Sequence, residues 1–203
     1  FLNSRDHSSY NNLANSYKSL HLNDLAIENF EKCLKIYPDY LPALINFAAL
    51  KKELNEHESA IHLFNDALKN KDGSNNIKLL FSIAECYKEM GEFQKSIQTL
   101  EKVLKLDKNS TAAYYLLSKF INFKDQDTYL REMEILNTDN DLSDSDKINL
   151  WFALGKVFED KNEYEKSFNF YKDANHKKRE SINYDASYFN NLKVNIINFF
   201  EKN

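Results

Sequence analysis

The side chains of this 203-residue chain that could carry chemistry are two cysteines, five histidines and many carboxylates. A helical zinc site would pair two histidines four residues apart with an adjacent glutamate, and the five histidines have no such spacing. Cys33 and Cys86 fall at predicted buried helix positions, which favours structural thiols over a nucleophile. The three glycines form no phosphate-binding loop. The sequence therefore predicts no catalytic residue, no metal site and no cofactor, and it does not indicate an enzyme.

The composition narrows the classes of partner. A net charge of −4 and a pI near 5.8 argue against nucleic-acid binding. The longest apolar stretch, residues 41–50, is too short to cross a bilayer, so we expect no membrane association. Two thiols in a chain of this size are typical of a reducing compartment, and we expect a cytoplasmic protein. Because the chain begins with Phe1, we expect a processed product or an excised piece.

A repeated apolar pattern predicts the elements that position these side chains. In each copy a large residue directly precedes a small one on a first helix, and a second apolar stripe follows on a second helix. The small residue lets the two helix backbones approach closely. The large–small pairs are Leu13–Ala14, Phe47–Ala48, Ile83–Ala84, Leu117–Ser118 and Leu154–Gly155. Their successive spacings are 34, 36, 34 and 37 residues.

The motif Trp151-x-x-Leu154-Gly155-x-x-Phe158 and the stretch from Tyr10 to Pro38 resemble tetratricopeptide repeats. The resemblance implies an all-α fold, a right-handed α-solenoid of about five helix-turn-helix units with a C-terminal capping helix. The predicted array spans 1–183, followed by a capping or docking helix over 184–203. Its units are expected near 7–40, 41–74, 77–110, 111–144 and 148–181. The alternative is an unrelated helical bundle with the same spacing.

The predicted turns and caps follow the same plan. Seven residues after each small first-helix residue we expect a sharp turn with left-handed backbone. Those positions hold His21, Asn55, Gly91, Asp125 and Asn162. Helix N-caps are predicted at Ser143, with Asp146 three residues later, at Asn23, and in the sequon 109–111 at a helix start, where capping explains the residues better than glycosylation.

The fourth unit departs from the pattern and is predicted to be degenerate. Its second helix has two equally plausible registers. One buries Leu130, Glu134 and Asn137, and the other buries Tyr129, Met133 and Leu136. The polar and acidic segment 137–145 is expected to form a loop.

The first helices of such an array should line a concave groove for an extended peptide or a partner helix. Asparagine can pair with peptide amides and lysine with carboxylates, so we expect sequence-tolerant binding there. The candidate groove residues are Asn11, Asn15, Asn46, Lys78, Tyr115, Lys119, Phe152 and Lys156. The N-terminal part also resembles carboxylate-clamp repeats at Asn15, Asn46 and Lys78. However, Asn11 and Ser82 replace two of the three clamp cations, which argues against clamp function.

The segment 142–184 resembles the last repeat of bacterial proteins in which tetratricopeptide repeats precede a sulfotransferase domain. The resemblance implies that this chain is the repeat part of a larger transferase, with a catalytic domain following in cis. No catalytic residue carries over, because the sequence ends at Asn203 before any phosphosulfate-binding loop. We therefore expect a non-catalytic scaffold that binds a protein or peptide. The alternatives are a self-association module that forms a homo-oligomer, or a stand-alone adaptor unrelated to sulfotransferases.

Overall fold

The computed structural model describes residues 6–70, 76–125 and 127–181, together with the single positions 193, 194 and 197. Every regular element within these ranges is a helix, which confirms the predicted all-α class. The helices are α1 (Asp6–Ser19), α2 (Asn23–Ile36), α3 (Leu41–Glu53), α4 (His57–Lys69), α5 (Ile77–Glu89), α6 (Phe93–Leu106), α7 (Thr111–Leu117), α8 (Asp127–Asn137), α9 (Asp144–Asp160) and α10 (Tyr164–Ser181). Among the described residues, no helix combines the length and the apolar character that a bilayer crossing requires.

The chain forms two compact units, 1–121 and 122–203, which are described separately. In unit 1 the helices pack in successive pairs, α1 on α2, α3 on α4 and α5 on α6. Contacts of α2 with α3, α4 with α5 and α6 with α7 join each pair to the next element. In unit 2, α9 packs along α10 and also contacts α8. The predicted fourth repeat, 111–144, spans the boundary between the two units. Apart from the single positions 193, 194 and 197, the predicted capping helix over 184–203 falls outside the described residues.

Helix α3 shows why one helix pair alone cannot bury all of its apolar side chains. Ala43 and Phe47 pack in a cluster with buried residues of α1 and α2, and the Phe47 ring stacks on Phe30 with centroids 5.4 Å apart. Leu44 and Ala48, on the other side of the same helix, pack in a second cluster with α4 and α5. Because α3 is apolar on both sides, it is buried only when it lies between two second helices.

The turn between the two helices of a repeat has the predicted geometry in four copies. The left-handed positions are His21 (φ 58°), Asn55 (φ 61°), Gly91 (φ 75°) and Asn162 (φ 63°). In each copy the next amide donates to the carbonyl five residues earlier, at 2.8 to 3.0 Å. This is the Schellman pattern, in which a left-handed residue ends one helix and aims the chain into the next.

Asp125, the fifth predicted position, is a described residue and does not have a positive φ. The reason lies upstream, because α7 ends at Leu117, several residues earlier than in the other first helices. The hydroxyl of Ser118 donates to the carbonyl of Tyr115 at 2.7 Å, and serine bonds of this kind compete with helix continuation. The prediction of a left-handed turn at Asp125 is therefore wrong.

Helix α8 settles the register left open in the fourth repeat. Met133 and Leu136 are buried, whereas Glu134 is exposed. Tyr129 is half-buried and meets the ring of Phe123 edge-on, with centroids 6.2 Å apart. The second of the two predicted stripes is confirmed, and a loop over 138–143 follows in the predicted polar segment.

The helix starts at Ser143 and at the sequon agree with the sequence, and the cap at Asn23 does not. The Ser143 hydroxyl accepts from the Asp146 amide at 3.1 Å, as predicted. At Asn23 the prediction is wrong, because the turn leads directly into α2 and Leu22 takes the N-cap position. The sequon 109–111 does lie at a helix start, with Ser110 at the N-cap position of α7 and no side-chain cap hydrogen bond. An unpredicted cap occurs at the start of α5, where the side chain of Asn76 accepts two backbone amides.

At the crossing of α9 and α10 the small residue of the repeat pattern is Gly155, so the two helix backbones can approach closely. Gly155 on α9 is fully enclosed, and the buried Ser167 hydroxyl on α10 donates to its carbonyl at 2.8 Å. A Cβ atom on Gly155 would lie 2.7 Å from ring carbons of Tyr171. The other repeats carry alanine or serine where α9 has Gly155. In three of them the residue equivalent to Tyr171 on the second helix is Phe30, Phe64 or Leu100. In unit 2, Gly155 therefore leaves the space that the ring of Tyr171 occupies.

We predict that Gly155→Ala destabilises unit 2 by about 1–3 kcal/mol, since the added methyl must displace the Tyr171 ring from a packed crossing. Denaturant unfolding followed by the emission of Trp151, the sole tryptophan and a residue of α9, measures the change. Adding Tyr171→Leu recreates the alanine–leucine pairing of the third repeat and should recover part of the loss. An unchanged unfolding midpoint in the single variant would contradict the crossing geometry.

Candidate functional site

Polar contacts join the first helices of unit 1 side by side, and we call the surface of α1, α3, α5 and α7 the first-helix face. Two contacts join α1 to α3 and one joins α3 to α5. The pairs are Asn11–Asn46, Lys18–Glu53 and Lys52–Glu85. The partners are 35, 35 and 33 residues apart, which is close to one repeat length. Residues at that spacing are thus spatial neighbours across the face.

Asn11 lies inside this face and exposes little of its side chain. It is 5% exposed, and its Oδ1 accepts from Nδ2 of Asn46 at 3.4 Å. The backbone of Asn11 also forms a hydrogen bond with the thiol of Cys33 on α2. Asn11 and Asn46, two predicted groove residues, thus lie together, and the side chain of Asn11 mainly connects α1 to its neighbouring helices. Asn46 is half-buried and more accessible.

Two lysines of this face, Lys18 and Lys52, have carboxylate partners on the neighbouring first helix. Lys18 Nζ lies 2.7 Å from Glu53 Oε1, and the two side chains are 25% and 59% exposed. Lys52 pairs with Glu85, again with the carboxylate more exposed than the ammonium group. Sequence reasoning missed Glu53 and Lys52. The available signal was a lysine and a glutamate close to one repeat length apart.

The other predicted residues of unit 1 lie on α5 and α7 or just beyond them. Lys78 is exposed in the first turn of α5, where its amide donates to Oδ1 of Asn76 at 3.1 Å. Tyr115 is half-buried on α7. The exposed Lys119 places its Nζ 4.2 Å from the centroid of the Tyr115 ring, which is a cation–π arrangement. Tyr115 and Lys119 thus place an aromatic ring and a positive charge side by side.

A cleft of about 400 Å³ opens where α1 and α3 end. It contains the predicted residue Asn15, which is half-buried, and the Lys18–Glu53 pair. Its lining includes Asn15, Lys18, His21, Asn23, Leu50 and Glu53. This size is in the range of sites that hold a side chain or a small ligand.

The two candidates in unit 2 lie on α9. Phe152 is half-buried, with Lys178 Nζ 5.8 Å from its ring centroid. Lys156 pairs with Asp160, whose side chain is only 6% exposed. The second oxygen of Asp160 accepts from the backbone amide of Phe123 at 3.0 Å. Lys156 therefore serves as the counter-ion of a buried carboxylate.

The thiols and the metal-ligating side chains form no reactive centre in the part of the chain that the structure describes. Cys33 and Cys86 are both buried and unbonded to each other. Burial raises the pKa of both thiols, and the charge of Lys52 opposes this only in part at Cys86. Within the described ranges, no group of three or more His, Cys, Asp or Glu residues is arranged to hold a metal ion.

Comparison with known families agrees with this geometry. Two family models, each described as tetratricopeptide repeat, match residues 6–73 and 56–120 and together cover more than half of the chain. Residues 6–120 therefore belong to the tetratricopeptide repeat family. The comparison with curated protein sequences found no match.

Several solved structures share the fold. MamA from Desulfovibrio magneticus RS-1 is 15% identical with a TM-score of 0.65, covering 87% of this chain and 97% of that chain. YrrB, described as a TPR protein with an unusual peptide-binding site, is 16% identical with a TM-score of 0.61, covering 84% and 85%. The pilF protein of Pseudomonas aeruginosa is 16% identical with a TM-score of 0.57, covering 79% and 72%. At these identities the similarity establishes the fold alone.

We predict that both thiols react slowly with iodoacetamide in the native chain at neutral pH. A raised pKa leaves less thiolate, which is the reactive form, and burial also blocks the reagent. Mass spectrometry should show little modification before unfolding and two modifications per chain in guanidinium chloride. Rapid native labelling of either cysteine would show that its helix face is open.

Proposed function

We propose that this chain is a non-catalytic scaffold that binds a protein or peptide on the first-helix face of unit 1. The observation that carries the proposal is the Tyr115–Lys119 pair, a half-buried ring with an exposed ammonium group 4.2 Å from its centroid. Tyrosine at the centre of a binding surface supplies contact area at a low cost in side-chain entropy. The paired lysine adds a charge that selects the orientation of a ligand.

The remaining features of the face support binding to an extended chain. Asn15 and Asn46 are half-buried, so each can exchange hydrogen bonds with a peptide backbone while staying positioned by the helix. The lysines at 18 and 52 have internal counter-ions, which leaves Lys78 and Lys119 as exposed cations among the predicted residues. YrrB, which shares the fold, is described as having a peptide-binding site.

Unit 2 also places a lysine beside an aromatic side chain of its first helix. Phe152 precedes Leu154 by two residues, just as Tyr115 precedes Leu117, and Lys178 lies over its ring. The same repeat position thus carries an aromatic residue with a neighbouring lysine in both units. Phe152 is a second contact point for a protein partner.

The wider context is proposed from sequence resemblance alone. The similarity of 142–184 to repeats that precede sulfotransferase domains supports a cytoplasmic parent of bacterial type, with a catalytic domain in cis. A phosphosulfate-binding loop encoded after Asn203 would support this parentage, and a different domain there would contradict it. Self-association through 184–203 stays a prediction, because those residues lie outside the described ranges.

We predict that Tyr115→Ala and Lys119→Glu each weaken peptide binding at least about tenfold, because they remove the ring and reverse the charge at one position. The measurement is binding of the full chain to a diverse peptide array, followed by titration of the selected peptides. Lys102→Glu changes an exposed lysine on the second helix α6 and is the matched control. Selected peptides that bind all four proteins equally would refute the first-helix face as the binding surface.

A further inference from the structure

The cleft at the ends of α1 and α3 combines an apolar floor with polar walls. Leu50 is buried beneath it and Leu54 is half-buried at its edge. The amides of Asn15 and Asn23 and the carboxylate of Glu53 line the same space. A long side chain with an aliphatic stem and a polar head would match both parts.

Glu53 offers an acceptor to this cleft. Lys18 engages Oε1 of Glu53 at 2.7 Å, and within the described residues Oε2 of the same carboxylate has no hydrogen-bond partner. The Glu53 side chain is 59% exposed and that of Lys18 is 25% exposed. An incoming group therefore reaches the carboxylate more readily than the ammonium group.

The helix ends add a second, independent preference for positive charge. Helix α1 ends at Ser19 and helix α3 ends at Glu53, and both residues line the cleft. The C-terminal end of a helix carries partial negative charge, because its last carbonyls point along the axis. Two such ends meet at one cleft against a single N-terminal end, that of α2 at Asn23, and the charges of Lys18 and Glu53 offset each other.

An anionic ligand would face internal competition at this site. It would have to displace Glu53 from Lys18, and a tethered partner acts at an effective concentration on the order of millimolar or more. A cationic ligand needs no displacement, since Oε2 is open. The ion pair thus disfavours an acidic side chain and accommodates a basic one.

We propose that the cleft receives an arginine side chain of the peptide that binds the first-helix face. Its guanidinium group donates to Oε2 of Glu53 and to the side-chain oxygens of Asn15 and Asn23. Its methylene stem lies on Leu50. The assignment rests on the proposed function, but the substitutions that test it lie on α1 and α3, whereas Tyr115 and Lys119 belong to α7 and the turn that follows it.

The test uses acetylated and amidated octapeptide libraries in which one position is fixed as arginine, citrulline or glutamate and the others are randomised among uncharged residues. Retention on the immobilised full chain is compared at pH 8. The native chain should retain the arginine library at least about tenfold more than the citrulline library, because citrulline keeps the shape and lacks the charge.

Two variants with opposite expected effects make the test decisive. Glu53→Gln should reduce the arginine preference to nearly none, whereas Lys18→Gln should increase it severalfold by removing the competing cation. Glu28→Gln breaks the Lys32–Glu28 pair on α2 and should change nothing. Thermal unfolding of each variant checks that the fold is intact.

The outcomes separate this inference from the proposed function. A preference for the glutamate library that Lys18→Gln abolishes would show an acidic ligand and overturn the assignment. Equal retention of all three libraries, with binding still lost in Tyr115→Ala, would overturn the assignment and leave the proposed function standing. No retention of any library would overturn both.

Discussion

The close crossing of the two helices in the first, second, third and fifth repeats is the constraint on which the other features depend. At Gly155 the space for a side chain is already filled by the ring of Tyr171, and the equivalent Ala14, Ala48 and Ala84 are likewise enclosed. A small residue at this point fixes the rotation of each first helix about its axis. Once that rotation is fixed, the residues on the opposite side must form the outer surface of the first helix. The position of Tyr115 and Lys119 on the first-helix face follows from where Leu117 and Ser118 are buried.

Packing of one repeat on the next then determines the charge of the face. Because α3 must lie between two second helices, its polar residues come next to those of α1 and α5. Lys18 and Glu53 are far apart in sequence but adjacent in space, and the same holds for Lys52 and Glu85. Exposed ion pairs of this kind contribute little to stability, on the order of 1 kcal/mol or less. In the proposed binding mode, these pairs set which charges a ligand meets.

Features that depend on one repeat were predictable from the sequence, and features that depend on neighbouring repeats were not. The turns at His21, Asn55, Gly91 and Asn162 follow from local backbone chemistry. The turn at Asp125 failed because α7 ends early, which a spacing rule does not detect. The register of α8 needed the packed positions of Met133 and Leu136, since two stripes fit the pattern equally well. Lys52 and Glu53 were missed, because the pairing of Lys52 with Glu85 and of Lys18 with Glu53 is a tertiary contact between repeats.

Lys156 and Lys119 occupy the same repeat position and differ in what a ligand can use. Lys119 is exposed beside an aromatic ring, so its charge is available at the surface. Lys156 neutralises Asp160, which is nearly buried and also holds the Phe123 amide. Removing one member of such a pair leaves an uncompensated buried charge, which costs several kcal/mol in well-buried cases. The charge of Lys156 is therefore neutralised within unit 2, whereas the charge of Lys119 lies exposed beside the Tyr115 ring.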